Sequence, residues 1–405
     1  MPSASEKLNI VVIGAGIAGL SSAIALREHN VVVLEQSRMK EEVGAAIHLG
    51  PNASKIALQW GLDLDRLRAC EVNYFHELGS DGRTHFRIPI KGREEFGAPW
   101  LLNHRVDLHN ELRRLATRDD GPGSPAVLRT AAKVVQVDPE AGIVQLEGGE
   151  VLQADAIIAA DGIHSVGRTA VLGNKLVAQR SGYSAYRALI PRDVLATNPK
   201  LLPYLDGDAS GTGFCTFMAK DRRLVAYPCR ASELLNIVAI VPDSEAKESQ
   251  EVWSQAGKTE ELLASFSEFC DDAKDILRLV SSCALWQLRE QDPLPTWTKG
   301  RVILIGDAAH AMLPHQGQGG GSAVEDAEAL AAVLLPGTTS ADIPARLALA
   351  EKIRYDRASR IQAYSREKAL GPKPGEEIVN SHQFAAYNFG YNGAKDWAAK
   401  NGIEV

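Results

Sequence analysis

Basic stretches, paired cysteines and long unbroken apolar runs are what this chain has least of. Acidic residues outnumber basic ones by 51 to 44, the formal charge is -7, and no segment concentrates lysine or arginine. A nucleic-acid backbone and an anionic membrane surface are therefore poor partners, and a small molecule is the expected ligand. The five cysteines, Cys70, Cys215, Cys229, Cys270 and Cys283, are scattered, odd in number and without metal-ligand spacing. This argues against a disulfide framework and predicts reduced core thiols in a reducing compartment, with no metal. The apolar run over residues 8–26 is nearly long enough for a membrane span, yet three glycines in a fixed pattern interrupt it and no basic segment or cleavage site accompanies it. A soluble, cytoplasmic chain is expected, as a monomer or homodimer. Its 405 residues, 45% hydrophobic, have room for a large core and two or three domains.

What is present is organised around residues 300–330, GRVILIGDAAHAMLPHQGQGGGSAVEDAEAL. Residues 302–305 form an all-apolar run suited to a strand buried on both faces, and Gly306-Asp307 ends it, so an acid sits at a strand's carboxyl end. Beyond it, Pro314, Gly317, Gly319, Gly320 and Gly321 predict a loop with free backbone amides, followed by an alanine-rich helix over 322–335. Strand ends of α/β sheets and helix amino termini both collect electron-rich ligands.

Near the amino terminus, a strand over 8–13 runs directly into GAGIAG, which places Gly14, Gly16 and Gly19 at the G-x-G-x-x-G spacing before a helix; a second strand, 31–34, ends in Glu35. The glycines permit a tight turn, close approach to a pyrophosphate and close helix packing, while the acid can hold a ribose hydroxyl pair. This predicts FAD or NAD, and Glu35 disfavours a 2′-phosphate. The small-residue segment 44–53 precedes a helix starting near Asn52, a further helix is expected over 61–71, and strands of a separate sheet over 73–100. Arg105 stands at the entrance of a helix with Leu108, Leu112 and Leu115 on one stripe, where it could meet a phosphate or form a surface salt bridge. A hairpin is expected over 134–152. Residues 156–160 form another buried strand, ending in Asp161-Gly162 within DGIHSVGR. From Tyr183, the strings YSAYRALIP, GFCTFMAK, RRLVAYPCR and LLNIVAIVP read as four strands of an antiparallel sheet. Residues 250–281 are expected to be helical, WQLREQDPLPTW to lead back to the first domain, and 345–369 to form a long helix; Tyr387, Phe389, Tyr391 and Trp397 should pack down the tail.

The ordered triple of GAGIAG with Glu35, DGIHSVGR and GDAAHAMLPHQGQG resembles the single-component FAD-dependent aromatic hydroxylases (group A flavoprotein monooxygenases), and most closely their salicylate-hydroxylase-like branch, over residues 8 to about 369. The resemblance implies an α/β fold: a Rossmann-type FAD-binding domain with an inserted antiparallel-sheet substrate domain and C-terminal helices. The boundaries expected are 1–72, 103–175 and 286–345 for the FAD domain, 73–102 and 176–285 for the substrate domain, and 346–405 for the helical segment. It further implies that Gly14, Gly16, Gly19 and Glu35 bind the ADP half of FAD, that Arg105 reaches its phosphates, and that Asp307 holds the ribityl chain. Residues 314–320, with Pro314, Gly317, Gly319 and Gly320, would lie beside the isoalloxazine ring. Asp161, Gly162 and Arg168 stand where the family contacts FAD and the nicotinamide nucleotide. The connection REHNVVV is shorter than usual for the family, and His315 stands where relatives often carry an aromatic or other residue.

The activity implied is hydroxylation of a small phenol or aromatic acid, salicylate-like and with or without loss of a carboxyl group, using NAD(P)H and O2 through a flavin hydroperoxide. Arg187, the lone charge in AYRALIP, could bind a substrate carboxylate or phenolate, or form a structural ion pair. Tyr227 could donate to substrate or simply pack in its sheet, and His315 could act as general base. His48 could lie near the flavin or be bonded to it, while His310 reads as structural. The same fold serves epoxidases, dehydrogenases and halogenases acting on other metabolites; the halogenase pattern W-x-W-x-I-P is missing here. A non-catalytic flavin-binding homologue is the remaining alternative.

Overall fold

The computed structural model describes residues 7–39, 45–243, 254–370 and 381–405. The five-residue run NIVVI forms the strand Asn9–Ile13, which pairs in parallel with Asn30–Leu34 on one side and Ala156–Ala159 on the other. Val302–Leu304 extends that sheet, so all four central strands are short apolar runs, as strands covered on both faces must be. Gly306 continues from the last of them with φ 57°, and a Cβ there would come within 2.8 Å of the Ala18 side chain, so the helix Ile17–Ala25 packs against this strand end only because position 306 is glycine. The helices Ile17–Ala25, Arg105–Thr117 and Gly319–Val333 and the small sheet built from Val134–Asp138, Ile143–Leu146 and Val151–Gln153 share one hydrophobic core with it.

The second large sheet has eight strands in the order Ser254–Gly257, Cys283–Glu290, Gln179–Pro191, Leu234–Pro242, Arg223–Cys229, Gly213–Met218, Tyr74–Gly79 and Thr84–Pro89. Period-two alternation divides its side chains cleanly. One face, with Tyr186, Ala188, Ile237, Ala239, Leu224, Ala226 and Phe217, is sealed by the helices Thr259–Ser265 and Asp271–Arg278. The opposite face carries Arg187, Val238, Asn236, Val225, Tyr227 and Phe214, and Leu313, which precedes Pro314, packs onto it beside Ile240 and Ala185. A three-stranded sheet of Ala46–Leu49, Leu101–His104 and Cys70–Glu71 completes the fold.

Several expectations change. Cys283–Glu290 is a full strand of the second sheet rather than a return linker, so the boundary at 285/286 cuts through it; that at 102/103 cuts Leu101–His104, and that at 345/346 cuts the helix Ile343–Leu370. Ser254–Gly257 is a strand where a helix was expected, because its backbone completes the edge beside Cys283–Glu290; residues 250–253 lie outside the described ones. Over 61–71 only the turn Leu64–Leu67, capped by Asp63, is helical, and Cys70–Glu71 pairs as strand. Gly213–Met218 pairs antiparallel with Arg223–Cys229 but parallel with Tyr74–Gly79, which its sequence period cannot reveal. Among the described residues no helix is long and apolar enough to cross a membrane.

Candidate active site

Two helix amino termini are left without side-chain caps. The helix Ile17–Ala25 begins after Gly16 with no side-chain cap, and the helix Gly319–Val333 begins after Gln318, again uncapped, so their first N–H groups are available to a ligand. Gly14 takes φ 96°, a Cβ at Gly19 would overlap the Gly14 carbonyl, and a Cβ at Gly16 would meet nothing within 4 Å. The loop thus has one glycine for the turn, one for helix packing and one bordering open space. Glu35 accepts from Ala15 N at 2.9 Å and from Ser37 N at 2.8 Å, which places its carboxylate at the mouth of that loop.

Arg105 is the exposed first residue of the helix Arg105–Thr117 and has no ion pair among the described residues, so the salt-bridge alternative gains no support. Asp307 likewise is an exposed carboxylate at the start of the turn Asp307–His310; it has no hydrogen bond or ion pair among the described residues, and its charge acts on Arg168 from a distance. Asp161 and Arg168 are different: both are turned inward. Asp161 accepts from Ser165 Oγ, Val166 N at 2.7 Å and Gly167 N at 3.1 Å, capping the helix Val166–Leu172, and burial raises its pKa. Arg168 donates to the carbonyls of Gly162 and Ile163 at 3.0 and 2.7 Å and to Gln291 Oε1, while Gln291 reaches the Ala309 carbonyl; the two acid-glycine segments are joined through it. In this structure these two side chains hold the Gly162 turn together.

The inner face of the eight-stranded sheet brings Arg187, Tyr227 and Asn236 together under the loop that carries Pro314 and His315. Arg187 is enclosed on nearly all sides yet keeps some accessible surface, as a group lining a hollow does. Its Nε is buried without a hydrogen-bond partner, its guanidinium lies 5.6 Å from the Trp286 ring, and no carboxylate pairs with it among the described residues. Burial pulls its pKa down; Tyr227 opposes this in part, and the nearby Arg105 charge adds a smaller lowering. Tyr227 stacks on Phe214 with ring centroids 4.9 Å apart, and burial pushes its phenol well above the ordinary value. His48 stands edge-on to Phe214 and Tyr227, at 5.7 and 6.5 Å. Its Nδ1 accepts from Trp100 Nε1 at 3.0 Å, so that nitrogen is not open to a flavin bond, and a Cβ at Gly317 would overlap its Nε2 side. Pro314 and His315 form the short 3-10 turn Pro314–Gln316, which Gly317 ends at φ 60°. His310 is fully buried and bonded to Asp326 Oδ2 at 2.7 Å, a structural role as expected.

Asn236, Trp100 and Phe214 belong to this site, although sequence reasoning did not select them. Asn236 is fully buried, accepts from Ala46 N at 3.1 Å and leaves Nδ2 without a partner. It gives the same signal as Arg187, a lone polar residue in an apolar strand, and could have been found by it.

Similarity to known proteins agrees with this geometry. A family model described as FAD binding domain matches residues 7–365. This chain belongs to the FAD-dependent monooxygenases. Among its relatives, the FAD-dependent monooxygenase cfoG of Aspergillus candidus is 34% identical, with 96% of this chain and 94% of that protein covered. Hispidin-3-hydroxylase of Neonothopanus nambi is also 34% identical, covering 97% and 96%. A solved salicylate hydroxylase substrate complex superposes with a TM-score of 0.79 at 30% identity, 97% of each chain covered. FAD is the cofactor of this monooxygenase family, and the residues present fit it: two uncapped helix ends, the open face at Gly16 and the partner-free Asp307 and Arg105 offer donors and acceptors for a dinucleotide.

Proposed function

We propose that this monooxygenase hydroxylates a small phenol or aromatic acid, using NAD(P)H and O2, with the substrate's anionic group held by Arg187. The observation that carries this reading is the buried Arg187 guanidinium, which has no carboxylate partner among the described residues and shares a sheet face with Tyr227 and Asn236. A cation kept in such a place without a counter-ion is costly unless a ligand supplies one.

When bound, FAD supplies the exchange of electrons with NAD(P)H and O2 that makes an oxygen atom available. The chain's own residues prepare the ring that receives it. Arg187 binds the carboxylate or phenolate and favours the ionised form of the group it holds. Tyr227 keeps its proton, because its pKa is raised, and donates to the substrate oxygen. His315 takes the proton of the substrate hydroxyl as general base. His48 stays neutral, since burial lowers its pKa to about 4, and carries its proton on Nε2, towards Gly317. Phe214, Val225 and Val238 keep water from the ring. The glycine loop, Glu35, Arg105 and Asp307 would hold FAD, and the Gly317, Gly319 and Gly320 backbone would border its ring.

The test is NAD(P)H consumption by FAD-replete protein with and without a panel of phenols bearing or lacking a carboxyl group. The expected result is phenol-dependent, oxygen-dependent consumption, with a product heavier by one oxygen atom. NAD(P)H loss that no phenol accelerates, with all oxygen recovered as peroxide, would overturn the reading.

A further inference from the structure

A buried ring of polar side chains grips the flavin loop at two points, and part of that ring comes from the C-terminal segment. Glu325, on the helix Gly319–Val333, accepts from Asn52 Nδ2 at 2.6 Å, and the same amide group donates to Gln318 Oε1 at 2.9 Å. On its other side Glu325 accepts two hydrogen bonds from Arg357, each 2.8 Å. Arg357 also donates to the backbone carbonyls of Tyr387 at 2.8 Å and Asn388 at 2.7 Å. Asn388 Nδ2 then donates to Gln316 Oε1 at 3.1 Å. Gln316 and Gln318 flank Gly317, so the ring closes around the turn that carries His315. The next residue, Phe389, packs on Trp100 at 5.2 Å, and Trp100 is the residue that holds His48.

We infer that Asn388 is a positioning residue for the reaction: its bond to Gln316 holds the turn Pro314–Gln316, and with it His315 and Gly317, in the placement used at the flavin. This rests on the reading that residues 314–320 lie beside the flavin ring. The turn has little to hold it by itself. It contains one backbone bond, Gly317 N to the Pro314 carbonyl at 3.0 Å, and the residue that follows it, Gly317, has φ 60° and no conformational restraint of its own. Asn388 is 3% exposed, and its Oδ1 has no hydrogen-bond partner. A buried amide used on its donor side alone is a poor choice for packing, where an apolar residue of similar size would avoid the unsatisfied oxygen. The donor is what the position requires, and its target is the loop. Arg357 is the anchor, but removing it takes one of two cations from the buried Glu325 together with the bonds to the Tyr387 and Asn388 carbonyls, and gives no clean test.

Asn388→Ala, Gln316→Ala and the double variant test this in full-length protein. Apoprotein is titrated with FAD by fluorescence, and peroxide released per NAD(P)H consumed is measured on the loaded enzyme. Each single variant should weaken FAD binding roughly threefold to tenfold, the effect of one hydrogen bond, and should raise the peroxide fraction. The double variant should be no worse than the weaker single, since both break the same contact. Additive losses, or wild-type FAD affinity and peroxide fraction in the single variants, would overturn the proposal. A lowered melting temperature without movement of either readout would overturn it as well, leaving Asn388 a packing residue. Should Asn388→Ala fail to fold, Gln316→Ala on the half-buried loop decides by the same two readouts. Failure of wild-type protein to take up FAD would instead refute the flavin reading on which the inference stands.

Discussion

Trp100 Nε1 donates a 3.0 Å hydrogen bond to Nδ1 of His48, and this bond determines where the neutral imidazole carries its proton. Indole is a donor only, so Nδ1 must accept and the hydrogen resides on Nε2, the side that faces Gly317. Leu101–His104 pairs with Ala46–Leu49, and Trp100 immediately precedes that pairing, so the tautomer follows from strand register.

Stability should therefore fall with acidity through His48. Its pKa is lowered by burial to about 4, from 6.5. Between those values the unfolded chain binds a proton that the folded chain does not, so this contribution is fully present above pH 6.5 and declines as pH drops towards 4, by at most about 1.4 kcal/mol per pH unit. Denaturant unfolding at pH 7 and pH 5 checks it: wild type should lose more stability than His48→Gln over that interval. Parallel losses would mean that His48 is not the group responsible.

Gly317→Ala should disable the loop through His48. An added Cβ overlaps the imidazole, and φ 60° is itself unfavourable for alanine by roughly 1 kcal/mol. The variant should fold, yet release most of its reducing equivalents as peroxide. Combining it with His48→Ala should recover part of the coupling, and a double variant as uncoupled as Gly317→Ala would show that the clash is not the cause.

Asp307→Ala and Glu328→Ala should fail in opposite ways. Asp307 makes no hydrogen bond or ion pair among the described residues, so its loss should weaken FAD retention while leaving the apoprotein's melting temperature nearly unchanged. Glu328 lies on the same helix as Glu325, but it accepts from Ala394 N at 2.9 Å and from Tyr391 Oη at 3.1 Å, pinning the tail. Its loss should cost about 1–3 kcal/mol of stability, by leaving a backbone N–H unpaired, with FAD affinity less affected. Apoprotein melting curves and FAD titrations on the pair separate the two roles.

Arg354→Ala should be the most damaging single change away from the crevice. Arg354 lies between Glu325 at 2.6 Å and Asp326 at 3.0 Å, all three buried. Burial alone would lower its pKa, and the two carboxylates more than reverse this. Removing the cation leaves Glu325 to Arg357 alone and Asp326 to His310 and the Gly306 amide, a loss of up to roughly 3–5 kcal/mol. Arg354→Lys, lacking the planar fork, should recover only part of this in urea unfolding.

The nucleotide half was legible because its signals are local. A strand, a glycine turn and a helix follow one another within residues 8–26, and the strand Asn9–Ile13 lies within one residue of its expected start. Asp307 and Arg187 could also be read, each as a charge placed against an apolar run. What could not be read depends on residues far apart in the chain. Trp100 meets His48 across 52 positions and Asn388 meets Gln316 across 72, and neither pair leaves a periodic trace. Asp161 carries the same acid-glycine signature as Asp307, yet Ser165 and two following amides turn it inward to cap a helix. The tail aromatics were expected to pack, and Phe389 does so, but against Trp100 at the edge of the site.

The measurement that tests the account most directly is a substrate titration of FAD-replete Arg187→Ala, followed by flavin absorbance with a phenol that wild type hydroxylates. Loss of one charge-assisted hydrogen bond, roughly 1.5–3 kcal/mol, should raise the apparent dissociation constant about tenfold to a hundredfold. Flavin content should be normal and the melting temperature unchanged or higher, because no buried partner is stranded. Arg187→Lys should retain more binding than coupling. A folded, FAD-replete Arg187→Ala protein with wild-type substrate affinity and coupling would contradict the account and move the anion site away from this sheet position.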